Sequence, residues 1–351
     1  MQAGSLTVTR QHSKPERKTI NLALQGGGSH GAFAWGALDR LLEDERVAIE
    51  GIVGTSAGAM NAAVAAYGLA VGGNQGARAA LRRFWNAVMN QGSSSFMQPS
   101  WIDRLTSRGN MDFSPGWIML DNLTRMFSPY QLNPANHHPL RDILLAQVDF
   151  ERLRRAAEVK LFVCACNVMT NRLRVFDHGA MSVDAVLASA CLPSLFQAVE
   201  IDGEHYWDGG YMGNPPIFPV IYHCASADVL LVMINPIEID QPPRTAQAIL
   251  DRIHTLSFNS SLMREMRAIA FVNRLVAAGF DDGGRLKQVR IHCVDAEAEM
   301  RGLGASSKYN TERAFLEWLF ELGRARGAAF LAEHFEKIGR ESSTSIEQRF
   351  L

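Results

Sequence analysis

The chain has 351 residues, with 35 Lys plus Arg against 36 Asp plus Glu and a formal net charge of −1. So balanced a surface offers a polyanion no field, which excludes nucleic acid as an expected partner and leaves any membrane contact to apolar side chains. The length suits one large α/β domain or two small ones, without demanding a second, and five cysteines (Cys164, Cys166, Cys191, Cys224 and Cys293) lack the paired spacing of a disulfide framework or a zinc site.

In chain order, Met1–Thr19 is polar, carries Arg10, Lys14, Arg17 and Lys18, and lacks an apolar signal-peptide core. Residues 1–18 are therefore expected to be a flexible lead-in to a domain over 19–338. The expected location is cytoplasmic, with peripheral contact at a membrane surface, since no apolar run is long enough to span a bilayer. Apolar runs predict strands at Thr19–Leu24, Glu50–Gly54, Val159–Cys166, Arg172–Phe176, Asp228–Ile234 and Gln288–Val294. Between them, helical patterns fall at His30–Glu43, Ala57–Tyr67, Gly76–Met89 and Ser182–Ala190, the last opening on Ser182 as its cap. Val199–Ile201 and His205–Trp207 read as a hairpin about an Asp202-Gly203 turn, and Asn214-Pro215-Pro216 as a further helix start. Long helices are expected at Thr245–Ala278 and Tyr309–Ile338, and a loose tail at 339–351. Alternation of strand and helix predicts an α/β fold around a mostly parallel sheet. Residues 91–139 interrupt the rhythm. They show little clean period, five prolines and many large apolar side chains, including Trp101 and Trp117.

Two loops carry chemistry. The first strand runs into Gly26-Gly27-Gly28-Ser29-His30-Gly31 and then a helix, a junction whose unpaired amides and helix dipole favour an anion. Gly26, Gly28 and Gly31 also satisfy a dinucleotide fingerprint, as in an oxidoreductase, but the next strand ends in Gly54-Thr55-Ser56 without the acidic residue that would hold a ribose. A turn needed only for close packing is the third reading. The second strand ends in Gly54-Thr55-Ser56-Ala57-Gly58, the G-x-S-x-G string of a nucleophile elbow, for which the alternative is a serine helix cap. Were these strands neighbours, the glycine-loop amides would lie where an oxyanion develops during attack by Ser56.

A serine needs a base. His205, His223, His254, His292 and His334 sit in strand or helix patterns without catalytic-looking neighbours, whereas Trp207-Asp208-Gly209-Gly210-Tyr211 places an aspartate at a flexible turn after the hairpin.

GGGSHG at 26–31, GTSAG at 54–58 and DGG at 208–210, in that order, resemble the patatin-like phospholipase family. Ala188-Ser189-Ala190-Cys191-Leu192-Pro193 is similar to a further segment of that family. The resemblance implies a three-layer α/β/α fold and metal-free hydrolysis of lipid acyl esters. It makes Ser56 the nucleophile, Asp208 the base of a histidine-free dyad, and Gly26, Gly27 and Gly28 the oxyanion loop. Gly31, Gly54, Gly58, Gly209 and Gly210 become supporting glycines, and no cofactor is implied. His30 stands where the family usually carries Arg or Lys, and a neutral imidazole bonded locally is the expectation there. A catalytically silent lipid-binding module is the remaining alternative. Residues 91–139 are expected to form a lipid-facing cover of the active site, or else a second small core.

Overall fold

The structure, a computed structural model, describes residues 17–156 and 158–351. The lead-in expected over residues 1–18 lies mostly outside the described residues; Lys18 already opens the first strand.

Eight strands form one sheet: β1 Lys18–Leu24, β2 Val47–Gly54, β3 Lys160–Asn167, β4 Leu173–Phe176, β5 Val199–Ile201, β6 Glu204–Asp208, β7 Asp228–Val232 and β8 Arg290–Val294. Its order is β5-β6-β3-β2-β1-β7-β8, with β4 also paired to β3. The five strands β3-β2-β1-β7-β8 run parallel, β4 and β6 are antiparallel to β3, and β5 is antiparallel to β6. The inner strands are apolar on both faces: every residue of β1 but Thr19, and every residue of β7, is buried, as expected where helices cover both sides.

Among the described residues thirteen α-helices accompany the sheet. The first eight are α1 Gly31–Glu43, α2 Ala57–Ser93, α3 Trp101–Thr106, α4 Pro115–Met126, α5 Pro129–Leu132, α6 Pro139–Gln147, α7 Phe150–Arg155 and α8 Val183–Ser189. The rest are α9 Phe218–His223, α10 Ala246–Ala277, α11 Glu297–Met300, α12 Arg313–His334 and α13 Ile346–Phe350. One face of the sheet packs on α1, α2, α8 and α12 through a core that includes Leu22, Phe33, Trp35, Leu41, Phe84 and Leu319. The other packs on α9, α10 and α13 through Val53, Phe162, Leu231, Leu262, Met266 and Phe350. The expected three-layer α/β/α architecture follows. Each fully buried large apolar side chain contributes about 1.5–3 kcal/mol, so these two cores hold the layers on the sheet.

Local signals account for most elements. Ser182 caps α8 by accepting from the Ala185 amide, and Thr245 caps α10 by accepting from Ala248. Asp202 and Gly203 both have positive φ, as a two-residue hairpin turn requires. The expected pair of helices over 57–89 is one run to Ser93, broken at Gly72 and Gly73.

Residues 91–139, which lack a clean period, hold the short helices α3, α4 and α5, each opening on a serine. Two expectations are corrected. Asn214 does not cap a helix: a cis Asn214–Pro215 bond intervenes, α9 begins at Phe218, and the Glu265 carboxylate accepts from the Ile217 and Phe218 amides at 2.8 and 2.7 Å. Residues 339–351 are not loose. The Thr344 amide donates to the Ile291 carbonyl, and Ile346 and Phe350 are buried against the second core.

Candidate active site

The carboxyl ends of β1 and β2 lie side by side, with Leu24 paired to Gly54, so the glycine loop and the serine turn emerge together. Across β3, Ala165 pairs with Asp208, which brings the end of β6 to the same edge. One cleft of about 160 Å³ is lined by Gly27, Gly28, Ser56, Asp208, Lys308 and Tyr309, among others. The three motifs, far apart in sequence, therefore meet at the strand ends where open α/β sheets hold their ligands.

Ser56 has φ 56° and ψ −123°, a left-handed conformation that costs a non-glycine residue about 1–3 kcal/mol. The surroundings hold it there. Its amide donates to Ser189 Oγ at 2.9 Å, Thr55 Oγ1 donates to the Gly213 carbonyl at 2.8 Å, and a Cβ at Gly58 would strike the Leu24 carbonyl. Gly54 is the last residue of β2, and the Gly31 carbonyl accepts from Asn61 Nδ2 at 2.9 Å.

The glycine loop is tied on one side and open on the other. The Gly26 amide donates to Asn214 Oδ1 at 2.6 Å, and its carbonyl accepts from Asn235 Nδ2 at 2.7 Å. This corrects the expectation that all three glycines offer amides, because that of Gly26 is already engaged. The Gly27 and Gly28 amides make no hydrogen bond among the described residues and border the cleft. Gly28 has φ +59°, and a Cβ there would collide with the Lys308 carbonyl.

Asp208 is fully buried. Its Oδ1 accepts from the Gly210 amide at 2.7 Å, while Oδ2 makes no well-formed hydrogen bond. Burial pushes its pKa up to about 7, against the lowering effects of the Gly210 amide, the Ser56 hydroxyl and the Lys308 charge. A carboxylate beside a serine hydroxyl, with one free oxygen and a pKa near neutrality, is chemically equipped to take a proton. Gly209 accepts from the Met212 and Gly213 amides, fixing the turn behind it.

His30 is buried, with Nε2 2.8 Å from Ser307 Oγ, and burial and the neighbouring Lys308 charge lower its pKa to about 3. The imidazole is bonded locally, as expected, and the direction of the shift favours its neutral form. Among the late histidines, His254 on α10 lines the cleft, which its helical pattern did not indicate, yet it makes no hydrogen bond to Ser56 or Asp208. His292 lies between Asp228 Oδ1, at 3.0 Å, and Ser343 Oγ, at 2.9 Å, a Ser-His-Asp string at the opposite end of the sheet. Arg290 and the Gly339 amide also bind that Asp228 carboxylate, so the cluster clasps the C-terminal segment to β7 and β8. Sequence reasoning missed Asn214, Asn235 and Lys308, which no local motif marks.

Among the described residues no group of three His, Cys, Asp or Glu is placed to hold a metal ion, and no helix is long and apolar enough to cross a membrane.

A serine at a strained strand-to-helix elbow, facing a buried carboxylate and free loop amides on an α/β/α sheet, defines the class of α/β acyl hydrolases. The model of the patatin-like phospholipase family matches residues 22–221, more than half of the chain, and the chain belongs to that family. It is accordingly a lipid acyl hydrolase, which sets aside the dinucleotide-binding reading of Gly26, Gly28 and Gly31. Among solved structures it is similar to VipD from Legionella pneumophila, at 14% identity and a TM-score of 0.44, over 93% of this chain and 72% of that one. No curated protein matches it significantly.

Proposed function

We propose that the protein cleaves lipid carboxyl esters through a Ser56–Asp208 dyad. The observation that carries this reading is the buried Asp208 carboxylate, poised near neutrality with Oδ2 free beside the Ser56 hydroxyl. Ser56 Oγ attacks the ester carbonyl as its proton passes to Asp208, and the new oxyanion rests on the Gly27 and Gly28 amides. The tetrahedral intermediate collapses, Asp208 returns the proton to the leaving alkoxide, and the acyl group stays on Ser56. Water, deprotonated by the same carboxylate, then releases the fatty acid and restores the serine. Gly26 serves by anchoring the loop to Asn214 and Asn235, not by donating to the oxyanion.

The segment 91–139 is the lipid-facing cover in this reading. On α4, Trp117, Leu120, Asp121, Thr124 and Arg125 line a groove of about 380 Å³ that shares Ser194, Asp251, His254, Ala305 and Tyr309 with the catalytic cleft. Trp117 packs on Tyr309 with ring centroids 5.2 Å apart. Trp101, at 72% exposure, and Ile118, Met119 and Met126 point outward instead of filling a core. An apolar outer face beside the mouth of the cleft suits peripheral contact with a membrane surface that supplies the substrate.

The test is a panel of lipid and short-chain acyl esters offered to Ser56→Ala, Asp208→Asn and single His→Ala variants. Both dyad variants should lose nearly all turnover while folded, and each histidine variant, His254→Ala above all, should keep most of it. A loss at His254 as deep as at Ser56 would replace the dyad with a triad.

A further inference from the structure

Lys308 has no place in the sequence motifs and lies beyond the residues matched by the family model, yet it borders the same cleft as Ser56 and Asp208. It sits in a short 3-10 turn, Ala305–Tyr309, pressed onto the glycine loop: its carbonyl fills the space a side chain on Gly28 would need. Its ammonium donates to Asn235 Oδ1 at 3.0 Å, and Asn235 holds the Gly26 carbonyl and the Gln25 side chain. An ammonium has three donors. Among the described residues its one hydrogen bond goes to Asn235, and the residue also lines the cleft. Beside the glycine loop, the buried His30 is bonded to Ser307, the residue just before Lys308.

We propose that Lys308 is a positioning residue of this active site, a cation brought from the C-terminal half of the chain that lies in the cleft as the counter-charge of Asp208 and braces the oxyanion loop through Asn235. The inference rests on the dyad reading above.

The surroundings of Asp208 single out this charge. From β3 and the turn after α8 it is faced by Cys166 and Cys191, from the 3-10 turn after β6 by Tyr211, and from the Lys308 turn by Tyr309. Burial and the Asp208 charge push all four upward, the Cys191 thiol and the Tyr211 phenol to about 12, so they are neutral in the working range. From α10, Asp251 is engaged by Gln247 and the Ala305 amide, and His254 lines the cleft without a bond to Asp208. Burial raises the Asp208 pKa, and the Gly210 amide, the Ser56 hydroxyl and then the Lys308 charge lower it. Burial in turn pulls the Lys308 pKa down, while Asp251 and Asp208 oppose that pull.

The sign of the effect follows from the base being active when ionised. Activity rises with pH through the Asp208 pKa, and removing a neighbouring positive charge raises that pKa. Lys308→Met and Lys308→Gln, the second keeping a donor for Asn235, should move the acid limb of kcat/KM upward by about one pH unit or more, with activity returning at alkaline pH. Lys308→Arg should leave the limb in place. Fluorophosphonate labelling of Ser56 and hydrolysis of a soluble acyl ester, each followed from about pH 5 to about pH 10, give the limb without knowledge of the natural substrate. If folded Lys308→Gln keeps the wild-type limb, or loses activity equally at every pH, the proposal is overturned. If the wild type fails to label at Ser56, the dyad itself falls.

Discussion

Ser189 offers the sharpest test of how the elbow is held. It is the last residue of α8, fully buried, and its hydroxyl accepts the Ser56 amide at 2.9 Å. Ser56 itself is 8% exposed, so in Ser189→Ala that amide has no ready solvent to replace the lost acceptor. A buried donor left unpaired costs about 1–3 kcal/mol. At roughly 2–4 °C per kcal/mol for a large domain, Tm should fall by about 2–12 °C. The same bond opposes relaxation of a φ of 56°, so part of the loss should appear as displacement of the serine hydroxyl. Displacing a nucleophile by a fraction of an ångström lowers kcat by ~10-fold or more, with little change in KM. The control is Ser182→Ala at the opposite end of the same helix, where a lost cap costs ~1 kcal/mol but touches nothing near Ser56. Urea unfolding followed by tryptophan fluorescence gives the stabilities, and a soluble ester gives kcat. If the two variants have the same kcat, the Ser189 bond does not hold the elbow.

Gly28→Ala should lower kcat by ~10²-fold with KM little changed, since the added methyl meets the Lys308 carbonyl at a φ of +59° and moves a free amide; steady-state kinetics on a soluble ester decide it. At Asp228, burial opposes ionisation, but hydrogen bonds from His292, Arg290 and Gly339 outweigh it and hold the carboxyl below its usual range. Its contribution to stability is therefore complete above the ordinary carboxylate pKa of about 3.9 and is lost as pH falls toward the depressed value. Asp228→Asn should be less stable by roughly 3 kcal/mol at neutral pH, with the two unfolding curves converging in acid; a constant gap would contradict this. Trp117→Ser should lower activity on phospholipid vesicles while sparing a small soluble ester, and equal losses on both would make α4 part of the core rather than a cover.

The candidate loops of the proposed site are legible in the sequence because each is a local event: a strand ends, glycines allow a tight turn, and a helix begins. Asp208, the proposed base, stands out in the same way, as an acid at a hairpin's exit. What holds these loops was not. Asn214 reaches Gly26 across 188 positions and Ser189 reaches Ser56 across 133, and an isolated Asn or Ser looks the same whether it caps a turn or braces a site. Asn214 before two prolines was read as a cap by local rules, while the tertiary partner Glu265 performs that capping. His254 and Lys308 enter the cleft only through the packing of α10 and the Ala305–Tyr309 turn, which no periodicity specifies. The tail at 339–351 reads as loose because it is rich in Ser and Glu, yet Ile346 and Phe350 suffice to dock it once β8 and α10 are there to receive them.

The central claim, that Ser56 is activated by Asp208, is tested most directly by mass spectrometry of the protein after exposure to a fluorophosphonate. Wild-type protein should carry one adduct, on the peptide containing Ser56, and Asp208→Asn, folded to the same Tm within a few degrees, should label at least ~10²-fold more slowly. An adduct on Ser343, or undiminished labelling of Ser56 in Asp208→Asn, would contradict the account.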